Sequence, residues 1–143
     1  MPTRSFILKE NKDGTYTGIY CHYDGDLSFN GKVLALNYDN RKKVEELISL
    51  GDLSSLGSVI HPDKTKPHTF AEPQKGVCVF YGRDRGETDV GPTVITLEKL
   101  DNDIFIEFVY IYTLDNQWKY FESGKLHEGL IPLKEELRIL GII

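Results

Sequence analysis

Phe6-Ile7-Leu8-Lys9-Glu10-Asn11-Lys12-Asp13-Gly14-Thr15-Tyr16-Thr17-Gly18-Ile19-Tyr20 is the stretch whose reading decides the architecture of this 143-residue chain. Two apolar, β-branched and aromatic runs, at 6–8 and 15–20, flank Asn11-Lys12-Asp13-Gly14. Asp-Gly between such runs predicts a β-hairpin, because glycine accepts the positive φ that a tight turn requires. Beyond the turn, Tyr16, Gly18, Tyr20 and His22 alternate with Thr17, Ile19, Cys21 and Tyr23. One face of this strand is expected to pack inward and the other to stay partly wet.

Downstream, residues 24–31 hold two glycines and several polar turn formers and read as a loop, and a short helix is expected from Val33 to about Tyr38. The clearest helix follows. Asp39 or Asn40 can cap it, Val44, Leu47 and Ile48 form an apolar stripe at helical spacing, and Gly51 stands where a left-handed closing residue belongs. Residues 53–57 read as a compact turn, and the proline-containing residues 62–75 as a surface loop or lid. Residues 76–81 are predicted as a central strand, 82–92 as a polar glycine-rich loop, and 94–97 as a short strand. Residues 103–113 are the strongest β segment, Asp115-Asn116 turns it into a strand over 117–121, and residues 132–140 read as a short helix. Hairpins without regular strand–helix alternation predict a single α+β domain over residues 1–143, with a mainly antiparallel sheet packed against one main helix and short helices.

With 40% of residues hydrophobic and 27% charged, the chain has the composition of a globular domain with a real core, which excludes disorder for most of its length. No run approaches the roughly 20 apolar residues of a membrane span. The start lacks the apolar segment and cleavage site of a signal peptide, so the expected location is the cytoplasm. Cys21 and Cys78 sit in apolar β-like runs and are read as reduced, buried hydrophobes. The net charge of −5 accumulates late: residues 1–50 balance, 51–100 sum to −1 and 101–143 to −4. A basic stripe for phosphate backbones is missing, which disfavours direct nucleic-acid binding.

The densest polar segment is Tyr20-Cys21-His22-Tyr23-Asp24-Gly25-Asp26, at a strand end opening into a glycine loop. His22 is the candidate base, with Asp24 or Asp26 to orient it, and Tyr20, Tyr23 and the two aspartates are candidate binding residues. The same residues also fit a purely structural role, with the aspartates holding turn amides and His22 half-buried in a sheet. Adjacent strand residues point to opposite faces, so Cys21 and His22 do not converge on one metal ion. His61 and His68 lie far along the chain. There is no C-x-x-C pair, no H-E-x-x-H, no P-loop and no complete EF-hand, so neither cofactor nor metal is expected. Arg83 and Arg85 in Gly82-Arg83-Asp84-Arg85-Gly86 could grip a phosphate or carboxylate, or lie in a charge-balanced turn. Trp118 could pack the core or anchor a partner surface.

Three stretches carry a resemblance. Met1-x-Thr3-Arg4-Ser5, Tyr20-Cys21-His22-x-Asp24-Gly25 and Gly51-Asp52-Leu53-Ser54-Ser55-Leu56-Gly57 resemble a widespread family of small proteins of phages and other bacterial mobile elements. The resemblance covers about the first 60 residues. The chain departs from the family pattern at Tyr23, where tryptophan is usual, and at Asp26, where an aromatic is common. The resemblance brings no established activity with it. It implies an accessory protein of the phage kind, binding a host protein or complex, including a component of bacterial defence such as a CRISPR system. Two other classes remain open from the residues: a small enzyme or ligand-binding domain using residues 21–26 and 82–92, and a self-associating structural protein.

Overall fold

The computed structural model describes residues 2–143; Met1, which opens the Met1-x-Thr3-Arg4-Ser5 stretch, lies outside the described residues. Strands β1 (Ser5–Glu10) and β2 (Tyr16–Cys21) form the expected antiparallel hairpin, in register from Ser5 opposite Cys21 to Glu10 opposite Tyr16. Gly14 closes its turn at φ +86°, and Asn11 accepts the Gly14 N–H at 3.0 Å. A π-helical turn (Leu27–Gly31) leads directly into α1 (Lys32–Asn37), and α2 (Arg41–Ser49) follows. Asn40 caps α2 by accepting the Lys43 N–H at 2.9 Å. Gly51 ends it at φ +87°, donating its N–H to Ile48 at 3.1 Å.

The remaining elements are β3 (Leu53–Ser55), β4 (Val79–Phe80), α3 (Tyr81–Arg85), β5 (Thr93–Val94), α4 (Leu97–Asp101), β6 (Phe108–Tyr112), β7 (Trp118–Glu122), a 3-10 turn (Leu126–Glu128), β8 (Ile131–Pro132) and α5 (Leu133–Ile139). The strands form one eight-stranded mixed sheet in the order β4-β3-β2-β1-β6-β7-β8, with β5 also paired to β2. β1 is the hinge of this topology: it pairs antiparallel with β2 and parallel with β6. A parallel pair needs a long crossover, and residues 11–107 supply it between β1 and β6, carrying β2 and α1 to α4 on the way. The structure is thus a compact α+β domain, its mixed sheet packed against helices.

β1 is buried on both faces. Ile7 enters a core on one side with Ile19, Leu34, Val44, Leu47, Tyr110 and Leu137, where α1, α2 and α5 cover the sheet. Leu8 enters a second, smaller core with Leu100, Ile106, Val109, Ile111 and Phe121, covered by the 95–106 segment and its helix α4. That cover is short. Toward Arg4 the second face is only partly covered, with Arg4, Phe6, Tyr20 and His22 half-buried.

Four local expectations differ from the structure. Residues 53–55 form a parallel strand beside β2, since Leu53 faces Cys21 in register. The predicted central strand at 76–81 contributes only the two residues of β4, at the sheet edge. Residues 81–85 are a helical turn, and 97–101 form a helix capped by Thr96, whose hydroxyl accepts the Lys99 N–H at 3.2 Å. Each difference has one cause. Short segments take their state from the neighbours they meet in space, and local propensity is too weak to oppose them.

Candidate functional site

The strand registers lay out two rows of side chains on the partly covered end of the second face. Phe6 stands opposite Tyr20. Continuing the parallel pairing of Cys21 with Leu53 places Tyr20 beside Asp52, and continuing the antiparallel pairing of Leu53 with Phe80 places Asp52 beside Tyr81. Direct hydrogen bonds tie this row together: Asp52 Oδ1 accepts the Tyr20 N–H at 2.9 Å, and the Asp52 carbonyl accepts the Tyr81 N–H at 3.2 Å. The next row holds Arg4, His22 and Ser54; the backbone N–H of His22 donates to Leu53 at 3.1 Å and that of Tyr23 to Ser54 at 3.0 Å.

Within this grid Tyr20 and His22 form a pair, with Tyr20 Oη 2.6 Å from His22 Nδ1. Burial lifts the Tyr20 phenol above its ordinary pKa, with Arg4 opposing, while burial and then Arg4 hold His22 below its own. Both groups are therefore neutral at pH 7. The phenol is the better proton donor and the imidazole nitrogen the better acceptor, so Tyr20 donates to Nδ1. That bond assigns the ring's proton to Nε2. Asp52 is raised by burial, partly offset by the Tyr20 N–H it accepts.

Aromatic rings surround the pair. His22 meets the edge of Tyr23 at 4.6 Å between ring centroids, and Phe6 lies 6.2 Å from Tyr20. Tyr81 stacks on Phe70 at 5.6 Å, and the Arg85 guanidinium lies over both rings, at 4.3 Å from Phe70 and 5.1 Å from Tyr81. Arg4 lies over Phe105, 5.6 Å from its centroid. Tyr23 is 48% exposed and Phe105 63%.

The predicted site residues divide sharply. Tyr20, His22 and Tyr23 belong to this face. Asp24 sits at φ +58° with its carbonyl accepting the Asn30 N–H at 2.9 Å, and Asp26 accepts the Phe29 and Gly31 N–H groups through its carbonyl. The field of Asp26 acts on Tyr110, whose hydroxyl donates to Gly25 on the helix-covered side. His22 is thus oriented by Tyr20, and the expected pairing with Asp24 or Asp26 is not formed. Cys21 is fully buried in the helix-covered core, with Asn30 Nδ2 3.3 Å from its sulfur. Trp118 is a core residue, 6% exposed, with its indole N–H donated to the Tyr38 carbonyl at 2.7 Å; it offers no anchor to a partner.

Four of the five Arg83 N–H donors are already committed within the fold. Arg83 donates to the Ile60 carbonyl at 2.7 Å, the Cys78 carbonyl at 2.9 Å and Asp84 at 2.9 and 3.1 Å, with its guanidinium over Phe80. Arg85 pairs with Glu87 at 2.6 Å. The predicted two-arginine grip is therefore a structural knot plus an aromatic-stacked ion pair. His68 completes the knot: its Nδ1 accepts the Gln74 N–H at 2.9 Å, so its proton is on Nε2, which faces Asp84 Oδ2 at 3.3 Å and the Cys78 carbonyl at 3.1 Å. Both ring nitrogens are committed, which leaves His68 a structural role.

Tyr81 was not singled out by sequence reasoning, and Arg4, Asp52 and Ser54 entered it only within the stretches that carry the resemblance. A signal for Arg4 was present: extending the hairpin register by one residue past Ser5 sets it opposite His22. The placement of Asp52, Ser54 and Tyr81 beside Tyr20 and His22 was not visible, because β3 and β4 come in from distant segments. An open cleft of about 830 Å³ lies elsewhere, between the hairpin turn at Gly14–Tyr16 and residues 93–99. Among the described residues, no group of three or more His, Cys, Asp or Glu side chains is placed to hold a metal ion, and no helix is long and apolar enough to cross a membrane. In comparisons with known proteins, no family model, no curated protein and no solved structure matches the chain.

Proposed function

We propose that this chain is an accessory protein of a phage or other mobile element that acts in the bacterial cytoplasm by binding a host protein, with a component of host defence as the favoured partner class. The observation that supports binding is the partly exposed sheet end, where the exposed Tyr23 ring and the half-buried Arg4, Phe6, Tyr20, His22 and Tyr81 combine aromatic surface with a cation. Tyrosine and arginine dominate the energetics of protein interfaces, since they bury much area for few rotatable bonds. The mobile-element context rests on the resemblance of residues 3–5, 20–25 and 51–57. The net charge of −5 favours a protein partner over nucleic acid.

The test is affinity capture from bacterial lysate with the wild-type chain and with Tyr23→Ala, followed by purified binding. Tyr23 is half exposed, so its truncation leaves the fold intact and removes about 1 kcal/mol or more of contact if it lies at the interface. A partner bound by wild type and at least about fivefold more weakly by Tyr23→Ala supports the reading. Equal binding by both, or no specific partner together with unchanged phage or plasmid fitness on deletion, removes it.

A further inference from the structure

The outer edge of β5 carries backbone groups that its own fold does not use. β5 pairs only with β2, antiparallel, with Thr17 opposite Val94 and Gly18 opposite Thr93. Ile95 donates its N–H to the Tyr16 carbonyl at 3.0 Å, so Ile95 and Thr93 turn their backbone groups toward β2. Val94, between them, turns its N–H and C=O away from the sheet. The Pro92 carbonyl, opposed to the Thr93 N–H across a trans peptide, faces the same way, as does the N–H of the extended Thr96. Among the described hydrogen bonds none uses these outward groups. The Thr96 carbonyl, by contrast, is taken by the Leu100 N–H at 3.4 Å as α4 begins.

This pattern fits a copy of itself. In an antiparallel pair centred on Val94, the two Val94 residues exchange both hydrogen bonds, and each Thr96 N–H meets the Pro92 carbonyl of the other copy. Proline has no N–H, and the acceptor that would have met one is the Thr96 carbonyl already held by α4. Each outward group finds one partner and none is left over. A strand of ordinary sequence would leave its own carbonyl unmatched opposite Pro92 and its own N–H opposite the occupied Thr96 carbonyl. Self-complementary patches of this kind make two-fold contacts. The side chains agree. Residues 90–97 carry no charge, although exposed edges are usually blunted by charged side chains, and Val94 is 68% exposed. The pairing sets the two Val94 side chains together on one face. On the other it sets Thr93 against Ile95, beside the cleft that Tyr16, Ile95 and Leu97 line.

We propose that β5 is a self-association edge, through which two copies of this chain join their sheets by antiparallel β5–β5 pairing about a two-fold axis at Val94. The pairing stands independently of the host-protein reading above. With one short strand from each copy, the contact falls below the roughly 1,200 Å² that stable complexes bury, so the dimer is weak and depends on concentration.

The experiment is sedimentation velocity of the full chain from micromolar to millimolar concentration, where a shift from monomer to dimer is expected; a monomer throughout overturns the proposal. Val94→Glu sets two like charges against each other across the axis and should weaken the dimer about fivefold or more. Val94→Pro removes the N–H from both copies, and with it both bonds between the Val94 residues, for a loss of about tenfold or more. The chain's own fold does not use that N–H; if the proline variant still misfolds, Val94→Glu carries the test. A dimer that these substitutions leave as strong as wild type runs through another surface and overturns the β5 pairing. NMR on a mixture of labelled and unlabelled chains places the contact directly. Thr93 and Ile95 of opposite copies form a non-hydrogen-bonded pair, so an intermolecular contact between their Hα protons is expected. Its absence in a populated dimer refutes the pairing.

Discussion

Replacing Asp84 with asparagine probes the buried knot that holds residues 58–90 to the sheet. The Asp84 side chain is 4% exposed and accepts from the Phe80 N–H at 2.8 Å and from Arg83 at 2.9 and 3.1 Å. An amide keeps the shape, but it removes the countercharge of Arg83 and turns an NH2 group toward existing donors. Breaking a fully buried ion pair from one side costs about 3–5 kcal/mol. The Arg83 side chain is 23% exposed, so water recovers part of that loss, and about 2–3 kcal/mol is expected. In a domain of this size each kcal/mol moves Tm by roughly 2–4 °C, giving a drop of about 5–10 °C. Urea unfolding followed by far-UV circular dichroism at pH 7 measures the free energy directly. Acid provides a second signature. Burial alone would raise the Asp84 pKa, but the hydrogen bonds from Arg83 and the Phe80 N–H, with the Arg83 charge, outweigh it and hold the carboxyl below its ordinary value. Its contribution is complete above the unfolded-state pKa of about 3.9 and is lost as pH falls through the folded value. The gap between wild type and Asp84→Asn should therefore close below about pH 4. A loss under about 0.5 kcal/mol at pH 7, or a gap that persists in acid, would refute the assignment of this knot as a stabilising charge cluster.

Three further outcomes follow from the geometry. Trp118→Phe removes the indole N–H donated to the Tyr38 carbonyl and should cost about 1–3 kcal/mol in chemical denaturation; in the wild type, emission should be blue-shifted and resistant to iodide quenching until the chain unfolds. Gly51→Ala should cost about 2 kcal/mol or more in the same assay, because the position holds φ +87° and an added Cβ would lie 2.3 Å from the Val90 carbonyl oxygen. Cys21 should resist iodoacetamide at pH 8 in the native state and react on unfolding, since burial pushes its thiol up to about 12; rapid native labelling confined to Cys21 would contradict its placement in the core.

The functional face was only partly legible in the sequence. The alternation of Tyr16, Gly18, Tyr20 and His22 put Tyr20 and His22 on one strand face, because strand geometry has a period of two residues. The same alternation separated Cys21 from His22 and removed a shared metal site. Asp24 and Asp26 were close to His22 in number only: the chain turns after Tyr23, and Asp24 adopts a left-handed backbone. The partner that orients His22 was two residues away, on the same strand. Arg83 and Arg85 looked like free cations because a linear chain does not show the Ile60 and Cys78 carbonyls or the Phe70 ring that occupy them.

By itself the sequence determined the elements whose signals are local: the hairpin around Asp13-Gly14, the capped helix from Arg41 to Ser49, and the aromatic β6–β7 pair with its Asp115-Asn116 turn. Their information lies in periodicity, caps and turn residues within a few positions of one another. Only the tertiary structure decided that β1 joins two hairpins by pairing parallel with β6, that residues 53–55 extend the sheet beside β2, and that a short cover leaves Arg4, Tyr20, His22 and Tyr81 half-buried together. Those outcomes depend on contacts between segments tens of residues apart, whose loop-closure cost is repaid only when the whole sheet assembles.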